Sequence, residues 1–79
     1  MVRRGNEYEW AKLLYEKCWL DRDDADYYAG RLVKHDLAVD DLPQLSQKLL
    51  QEIGIHKMGH VLSILKYVKE VRADIGNFW

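Results

Sequence analysis

The sequence contains little that would cross-link the chain or anchor it in a membrane. Among its 79 residues there is one cysteine, Cys18, which cannot form an internal disulfide. A secreted domain of this size usually needs several disulfide bridges, so we expect a reducing intracellular compartment, cytoplasm or nucleus. No apolar run approaches the roughly 18–20 residues needed to cross a bilayer. The first residues also lack a signal-peptide pattern, so neither a membrane nor a secreted protein is expected.

The composition is that of a small globular domain. Hydrophobic residues make up 48% of the chain and charged residues 32%, and the aromatic share is 11%. Disordered chains are poor in aromatic and aliphatic residues, so this chain is expected to fold. Its length allows one domain, which we predict over residues 7–75 with 1–6 and 76–79 as flanking ends.

Apolar residues recur at helical spacing, and no segment alternates as a strand would. In the first stripe, Trp10, Leu13, Leu14 and Cys18 share one helix face. The pattern predicts an all-α fold with five helices. They lie at 7–19, from Asp23 or Asp24 onward, as one turn within 37–45, at 47–53, and from Lys57 or Met58 to about Asp74. The expected core includes Trp10, Tyr28, Leu32, Leu65 and Val68.

Capping and turn residues predict several helix boundaries. Ser46 is placed to cap the short fourth helix, and Gly54 to end it. Pro43 is expected in the first turn of the one-turn helix, where its missing N–H costs nothing. Gly76 and Asn77 are expected to end the final helix. Three aromatic residues keep open roles, in the core or at a contact: Trp19, Phe78 and Trp79.

Charge is unevenly distributed along the chain, although the net charge is only -1. Residues 21–41 contain seven aspartates against Arg22, Arg31 and Lys34, whereas the bases Lys57, Lys66, Lys69 and Arg72 follow in 56–79. Such polarity favours association with another protein over binding to a polyanion.

The stretch LPQLSQKLLQEIGIHKMGHVLSIL, residues 42–65, resembles the signature of sterile alpha motif (SAM) domains. It has a leucine-rich turn, the cap Ser46, a short helix ending in Gly54-Ile55, and Gly59-His60 opening the last helix. The resemblance covers about residues 8–72. Val61 stands where the family often has Arg, and the joint around residues 19–25 is unusually charged. The resemblance implies a five-helix SAM-type bundle with a long C-terminal helix.

The resemblance also implies a function in protein–protein association, with another SAM domain of the same or a foreign protein as partner. Such domains commonly join head to tail through two different surfaces. The residues that match the first, here called the central acidic surface, are Asp36, Asp40, Asp41, Gln44, Gln47 and Glu52. The residues that match the second, here called the final-helix surface, are Ile55, His56, Lys57, Met58, His60, Val61 and Lys66. A scaffold or adaptor in signalling or transcriptional regulation is therefore expected.

RNA-hairpin binding is the alternative, because some SAM domains bind hairpin loops through bases on the first and last helices. The available bases are Lys12, Lys17, Lys57, Lys66, Lys69 and Arg72. Glu16 and Glu70 interrupt them, and the pI of about 6.3 is low for a nucleic-acid domain. Protein association is therefore favoured, and membrane binding is not expected.

No catalytic, metal or cofactor site is predicted. His56 and His60 are four residues apart, so a helix could place both imidazoles on one face to bind a metal. No further ligand completes a zinc site. Cys18 lies on the apolar stripe of the first helix and is interpreted as a core thiol. We therefore expect neither an enzyme nor a metalloprotein.

Overall fold

Helices form all the regular structure in the part of the chain that is described. A computed structural model describes residues 6–77, and the side chains of residues 7–74. Its elements are α1 (Asn6–Glu16), α2 (Arg22–Lys34), a 3₁₀ helix (Val39–Gln44), α3 (Gln47–Glu52) and α4 (Met58–Asn77). The predicted all-α fold with five helices is confirmed, and residues 6–77 contain no strand. The predicted limits of the domain, 7–75, remain a prediction.

All five helices and the turns between them contribute side chains to one core. Trp10 is fully buried, and its indole Nε1 donates to the carbonyl oxygen of Leu37 at 2.8 Å. This bond satisfies the polar atom of the largest core residue. Apart from Tyr28, the side chains buried in 7–74 are apolar or sulfur-containing, and no charged one is buried. Of the predicted core, Trp10, Tyr28, Leu32 and Val68 are buried, and Leu65 is half-buried.

The joint between α1 and α2 differs from the prediction at both ends. Helix α1 ends at Glu16 instead of Trp19, and α2 begins at Arg22 instead of Asp23 or Asp24. Leu20 explains the early end, because six residues of helix would place it about 120° away from Leu14. The chain instead turns, the Leu20 amide donates to the Leu14 carbonyl at 3.2 Å, and Leu20 is buried.

Pro43 lies in the last turn of the 3₁₀ helix, not in the first turn as predicted. The first turn is closed by Asp41, whose Oδ2 accepts from the Ala38 amide at 2.9 Å. The carbonyl oxygen of Pro43 accepts from Arg72 Nε at 2.7 Å, and Arg72 Nη2 reaches the Leu45 carbonyl at 3.4 Å. The guanidinium of α4 thus attaches the 3₁₀ helix to the bundle.

The connection from α3 to α4 follows the predicted capping pattern. Ser46 Oγ accepts from the Leu49 amide at 3.2 Å, which confirms the cap. Gly54 follows α3 with φ +106°, a conformation that side chains with a Cβ rarely adopt. Arg31 Nε donates to the Ile53 carbonyl at 2.8 Å, so α2 supports this turn from outside. Gly54 therefore ends α3 as predicted and aims the chain toward α4.

Helix α4 starts at Met58, as predicted, but continues to Asn77. Gly76 and Asn77 are the last described residues of α4, so the helix runs about one turn beyond the predicted end near Asp74. A glycine inside a helix costs only about 1 kcal/mol against alanine, which does not stop a helix by itself. No described helix is long and apolar enough to cross a membrane. Phe78 and Trp79 lie outside the described residues.

Candidate protein-interaction surfaces

The central acidic surface is built by the 3₁₀ helix and α3. Asp40 and Gln44 are exposed on the 3₁₀ helix, and Gln47 and Glu52 are exposed on α3. Acidic residues at the start of short helices suit the local backbone, because free amide groups there favour negative charge. Asp40 lies in such a first turn, whereas Glu52 is the last residue of α3, so the local backbone favours only the first of these two exposed carboxylates.

One member of this surface also has a structural role inside the chain. Asp41 is half-buried, and its carboxylate closes the first turn of the 3₁₀ helix through the Ala38 amide. Asp36 is exposed in the turn after α2, with φ +59°. Asp40 and Glu52 are each exposed on a helix, so their carboxylates are accessible to a partner.

The final-helix surface occupies the loop before α4 and the outer side of its first turns. His56 and Lys57 are exposed in the loop, and Met58 is 50% exposed at the first helical position. Gly59 is exposed, and a Cβ added there would meet no atom within 4 Å. Lys66 is exposed two turns further along α4. The first turn of a helix leaves N–H groups without helical partners, so this end can accept an anion.

Ile55 and Val61 do not belong to a surface, contrary to the prediction. Each has a relative exposure of 0%. The Ile55 amide donates to the Leu50 carbonyl at 2.9 Å, which folds Ile55 back under α3. Val61 is the first residue of the α4 stripe that faces the core with Ile64 and Val68. Both side chains stabilise the fold and cannot touch a partner.

Leu62 is a surface residue that the sequence interpretation missed. It is 59% exposed, whereas its neighbour Val61 is fully buried. Its spacing from Met58 is four residues, so the two apolar side chains lie one turn apart on the outer side of α4. That spacing, together with Lys66 four residues later, was the signal available in the sequence.

His60 joins α4 to α2 and is only partly available to a partner. Its Nδ1 lies 2.6 Å from the hydroxyl of Tyr28, and its Nε2 lies 3.6 Å from Oδ2 of Asp24. The exposed fractions of the His60 and Asp24 side chains are 23% and 34%. Burial, with smaller contributions from Asp24 and Tyr27, raises the pKa of Tyr28. The phenol is thus protonated at neutral pH and can donate to Nδ1.

An open groove beside this bridge brings the start of α2 next to the start of α4. It measures about 330 Å³ and is lined by Asp24, Tyr27, Tyr28, Gly54, His56 and Lys57. Its members carry both signs of charge. The basic loop before α4 therefore has a carboxylate of the same chain on its border.

The structure gives the paired histidines no shared helix face. His56 precedes α4, while His60 is inside it and contacts Tyr28 and Asp24. Within the described residues, no three side chains of the types His, Cys, Asp or Glu are grouped as a metal site would require. Cys18 is 1% exposed, and burial followed by the charge of Glu70 raises its pKa to about 12.

Several of the bases considered for RNA binding lie close to other groups of the same chain. Lys17 and Lys66 line a groove together with Trp19 and Glu70. Trp19, for which the sequence left open a place in the core or at a contact, is 85% exposed and is therefore not a core residue. Arg72 donates to two backbone carbonyl oxygens of the 3₁₀ region. Its guanidinium thus has a structural task.

Comparison with protein families gives one match. The family model described as SAM domain (Sterile alpha motif) matches residues 18–72, which is more than half of the chain. The matched segment begins two residues after the end of α1 and continues through most of α4. Comparisons with curated proteins and with solved structures give no significant match.

Proposed function

This chain belongs to the sterile alpha motif family, and we propose that it joins another SAM domain, in the first place a second copy of itself. The family is one of protein-interaction modules, and a scaffold or adaptor role follows from that. The proposed contact pairs the central acidic surface of one copy with the final-helix surface of the next.

The observation that carries this proposal is the bare first turn of α4. Gly59 has open space where a side chain would be, although glycine in a helix costs up to about 1 kcal/mol against alanine. Packing among the residues that the structure describes does not explain its presence. A partner's backbone or carboxylate could approach the free N–H groups there, with Lys57 and His56 beside them.

Exposed apolar side chains supply the second part of the proposed contact. Met58 and Leu62 are 50% and 59% exposed on the same side of α4. Apolar groups at the centre of an interface contribute most of its binding energy, and charged groups around them guide association. We therefore include Leu62 in the proposed contact in place of the buried Ile55 and Val61.

Two different surfaces on one chain make a heterologous contact. Such a contact leaves one free surface at each end of a complex, so it propagates into rings or open chains. Each surface can be inactivated separately, which makes the proposal testable. K57E inactivates the final-helix surface, and the double variant D40K/D41K inactivates the central acidic surface.

The test is the molar mass of the wild-type chain and of both variants by light scattering over a range of concentrations. We expect the wild-type mass to rise with concentration and each variant to stay monomeric. An equimolar mixture of the two variants should form a 1:1 dimer, since it restores one intact pair of surfaces. K12E is the control for K57E, and D23K/D26K is the control for D40K/D41K, because each makes the same charge change at exposed positions outside both surfaces.

A mixture that stays monomeric, together with a wild-type chain of constant mass, would overturn self-association. An RNA hairpin titrated at low salt supplies the competing result. Saturable binding that is tighter than the self-association would replace the proposal with the RNA alternative. Circular dichroism of each variant must show the wild-type helical content, because an unfolded variant would also fail to associate.

A reducing intracellular compartment is the setting we propose for this function. Cys18, the single cysteine, is free and buried, so the fold uses it as a small apolar side chain. We propose no catalytic step and no cofactor, because association alone accounts for the exposed residues discussed above.

A further inference from the structure

We propose that Asp24 weakens the final-helix surface from within, by acting as an internal carboxylate that competes with the partner's carboxylates. This inference rests on the proposed function. It identifies a residue outside both surfaces that determines how strongly the surface binds and which partners it accepts.

Asp24 lies close to His60, a residue of the proposed final-helix surface. His60 lies in the first turn of α4, and its Nε2 is 3.6 Å from Asp24 Oδ2. The opposite ring nitrogen, Nδ1, is 2.6 Å from the hydroxyl of the buried Tyr28. The two rings meet edge-on with centroids 5.4 Å apart. The imidazole is thus fixed between α2 and α4, with its Nε2 side toward a carboxylate of the same chain.

The charge of Asp24 is also near the other bases of the surface. Asp24 lines the groove that contains His56 and Lys57. Its side chain is 34% exposed, so its negative charge reaches solvent at the border of the final-helix surface. Tyr27, Tyr28 and Gly54 complete the lining of this groove, so Asp24 is the one carboxylate among the described residues that line it.

A partner carboxylate that approaches the start of α4 therefore meets a like charge. Asp24 Oδ2 also faces His60 Nε2, so a bound carboxylate would have to displace Asp24 from this nitrogen or share it. Neutralising Asp24 should make this end of α4 more positive by about one charge. Charge pairs at exposed positions are weak, so the expected change in affinity is up to about fivefold.

The experiment uses the single contact formed by the two variants described above. D24N is added to the D40K/D41K chain, whose final-helix surface is intact, and this chain is titrated with the K57E chain by calorimetry. We expect binding to tighten about two- to fivefold relative to D40K/D41K alone. D23N is the matched control, because Asp23 is an exposed neighbour of Asp24 and its substitution removes the same charge. It should change the affinity less than D24N.

Salt separates an electrostatic effect from a change of shape. The gain from D24N should shrink toward zero at about 0.5 M salt, because screening shortens the reach of charges to a few ångströms. D24S is a second neutral variant, used with a thermal melt of each chain, in case the amide of D24N distorts the bridge to His60. Both neutral variants should tighten binding.

Unchanged or weaker binding by D24N and D24S, with the parent pair intact, would overturn this inference alone. It would mean that Asp24 serves only to hold His60 in place. A gain equal to that of D23N would also overturn it, because net charge alone would then explain the effect. Failure of the parent pair to bind would instead remove the proposed function and this inference with it.

Discussion

The turn after α3 and the first turn of α4 are only a few residues apart, yet the fold uses them differently. Gly54 has φ +106°, and a Cβ added there would lie 3.0 Å from Arg31 Nε. A Cβ at Gly59 would meet nothing within 4 Å. The first glycine is required by its backbone conformation and its neighbours, whereas no contact within the described part of the chain requires the second.

The apolar residues of the same region show the same contrast. Ile55 and Val61 are fully buried, while Met58 and Leu62 are about half exposed. Sequence neighbours thus divide into a set that holds α4 on the core and a set that faces outward. A surface motif therefore also contains structural residues. Separate measurements of stability and of binding can distinguish the structural residues from the contact residues.

The largest expected effect comes from comparing I55A with L62A. Truncating a buried Ile costs about 2–5 kcal/mol, a large part of the stability of a small domain, so I55A should unfold at much lower urea. L62A should change the free energy of unfolding by less than about 0.5 kcal/mol, because Leu62 is exposed. It should still weaken the complex of the two surface variants about fivefold or more.

Urea unfolding followed by circular dichroism and calorimetry of the complex provide these two readouts. If L62A destabilised the monomer as much as I55A, the contrast between the two sets would be lost. Unchanged affinity of L62A would remove Leu62 from the contact.

The two glycines give the next effect in size, and here the signs are opposite. G54A should destabilise the domain by about 1–3 kcal/mol, because alanine is strained at this positive φ. G59A should stabilise it by up to about 1 kcal/mol, since alanine is the better helix former and has room. The same G59A variant should bind its partner more weakly, because the added methyl group stands where the partner approaches.

Melting curves and calorimetry of these variants separate stability from binding. A more stable G59A chain with unchanged affinity would contradict the role assigned to the first turn of α4. Loss of stability in G59A would show that Gly59 serves the fold after all.

The effect that is smallest near neutral pH concerns the core thiol, and it extends the comparison to a buried residue of the first stripe. Because the pKa of Cys18 is raised to about 12 in the folded state, from a usual 9, its contribution to stability is present below about pH 9. That contribution is lost as pH rises from 9 toward 12. At pH 8 the native thiol should resist a disulfide reagent that reacts readily after unfolding in urea.

C18A should unfold with a weaker pH dependence above pH 9 than the wild-type chain. Rapid reaction of native Cys18 at pH 8 would contradict its burial.

The sequence predicts the order of the helices well, because apolar spacing and caps act over a few residues. Ser46 and Gly54 illustrate this, since their partners are local. Burial across a turn is harder to predict. The residues around Gly59 share a motif, but only the packed structure shows that Val61 faces inward and Leu62 outward.

Contacts between residues far apart in the chain could not be predicted from the spacing of apolar residues. Tyr28 and His60 are 32 residues apart, so no spacing rule connects them. The early end of α1 depends on the burial of Leu20, which competes with helix continuation. Both belong to tertiary packing, which outweighs local preference.

Amide chemical-shift mapping of the complex tests the central claim most directly. The D40K/D41K chain is labelled with nitrogen-15 and titrated with the unlabelled K57E chain, and the labels are then exchanged. We predict that the largest shifts in the first experiment fall between His56 and Leu62, with Gly59 among them. In the second they should fall on the 3₁₀ helix and α3. Shifts confined to α1 and α2, at a concentration where the pair is bound, would contradict the account.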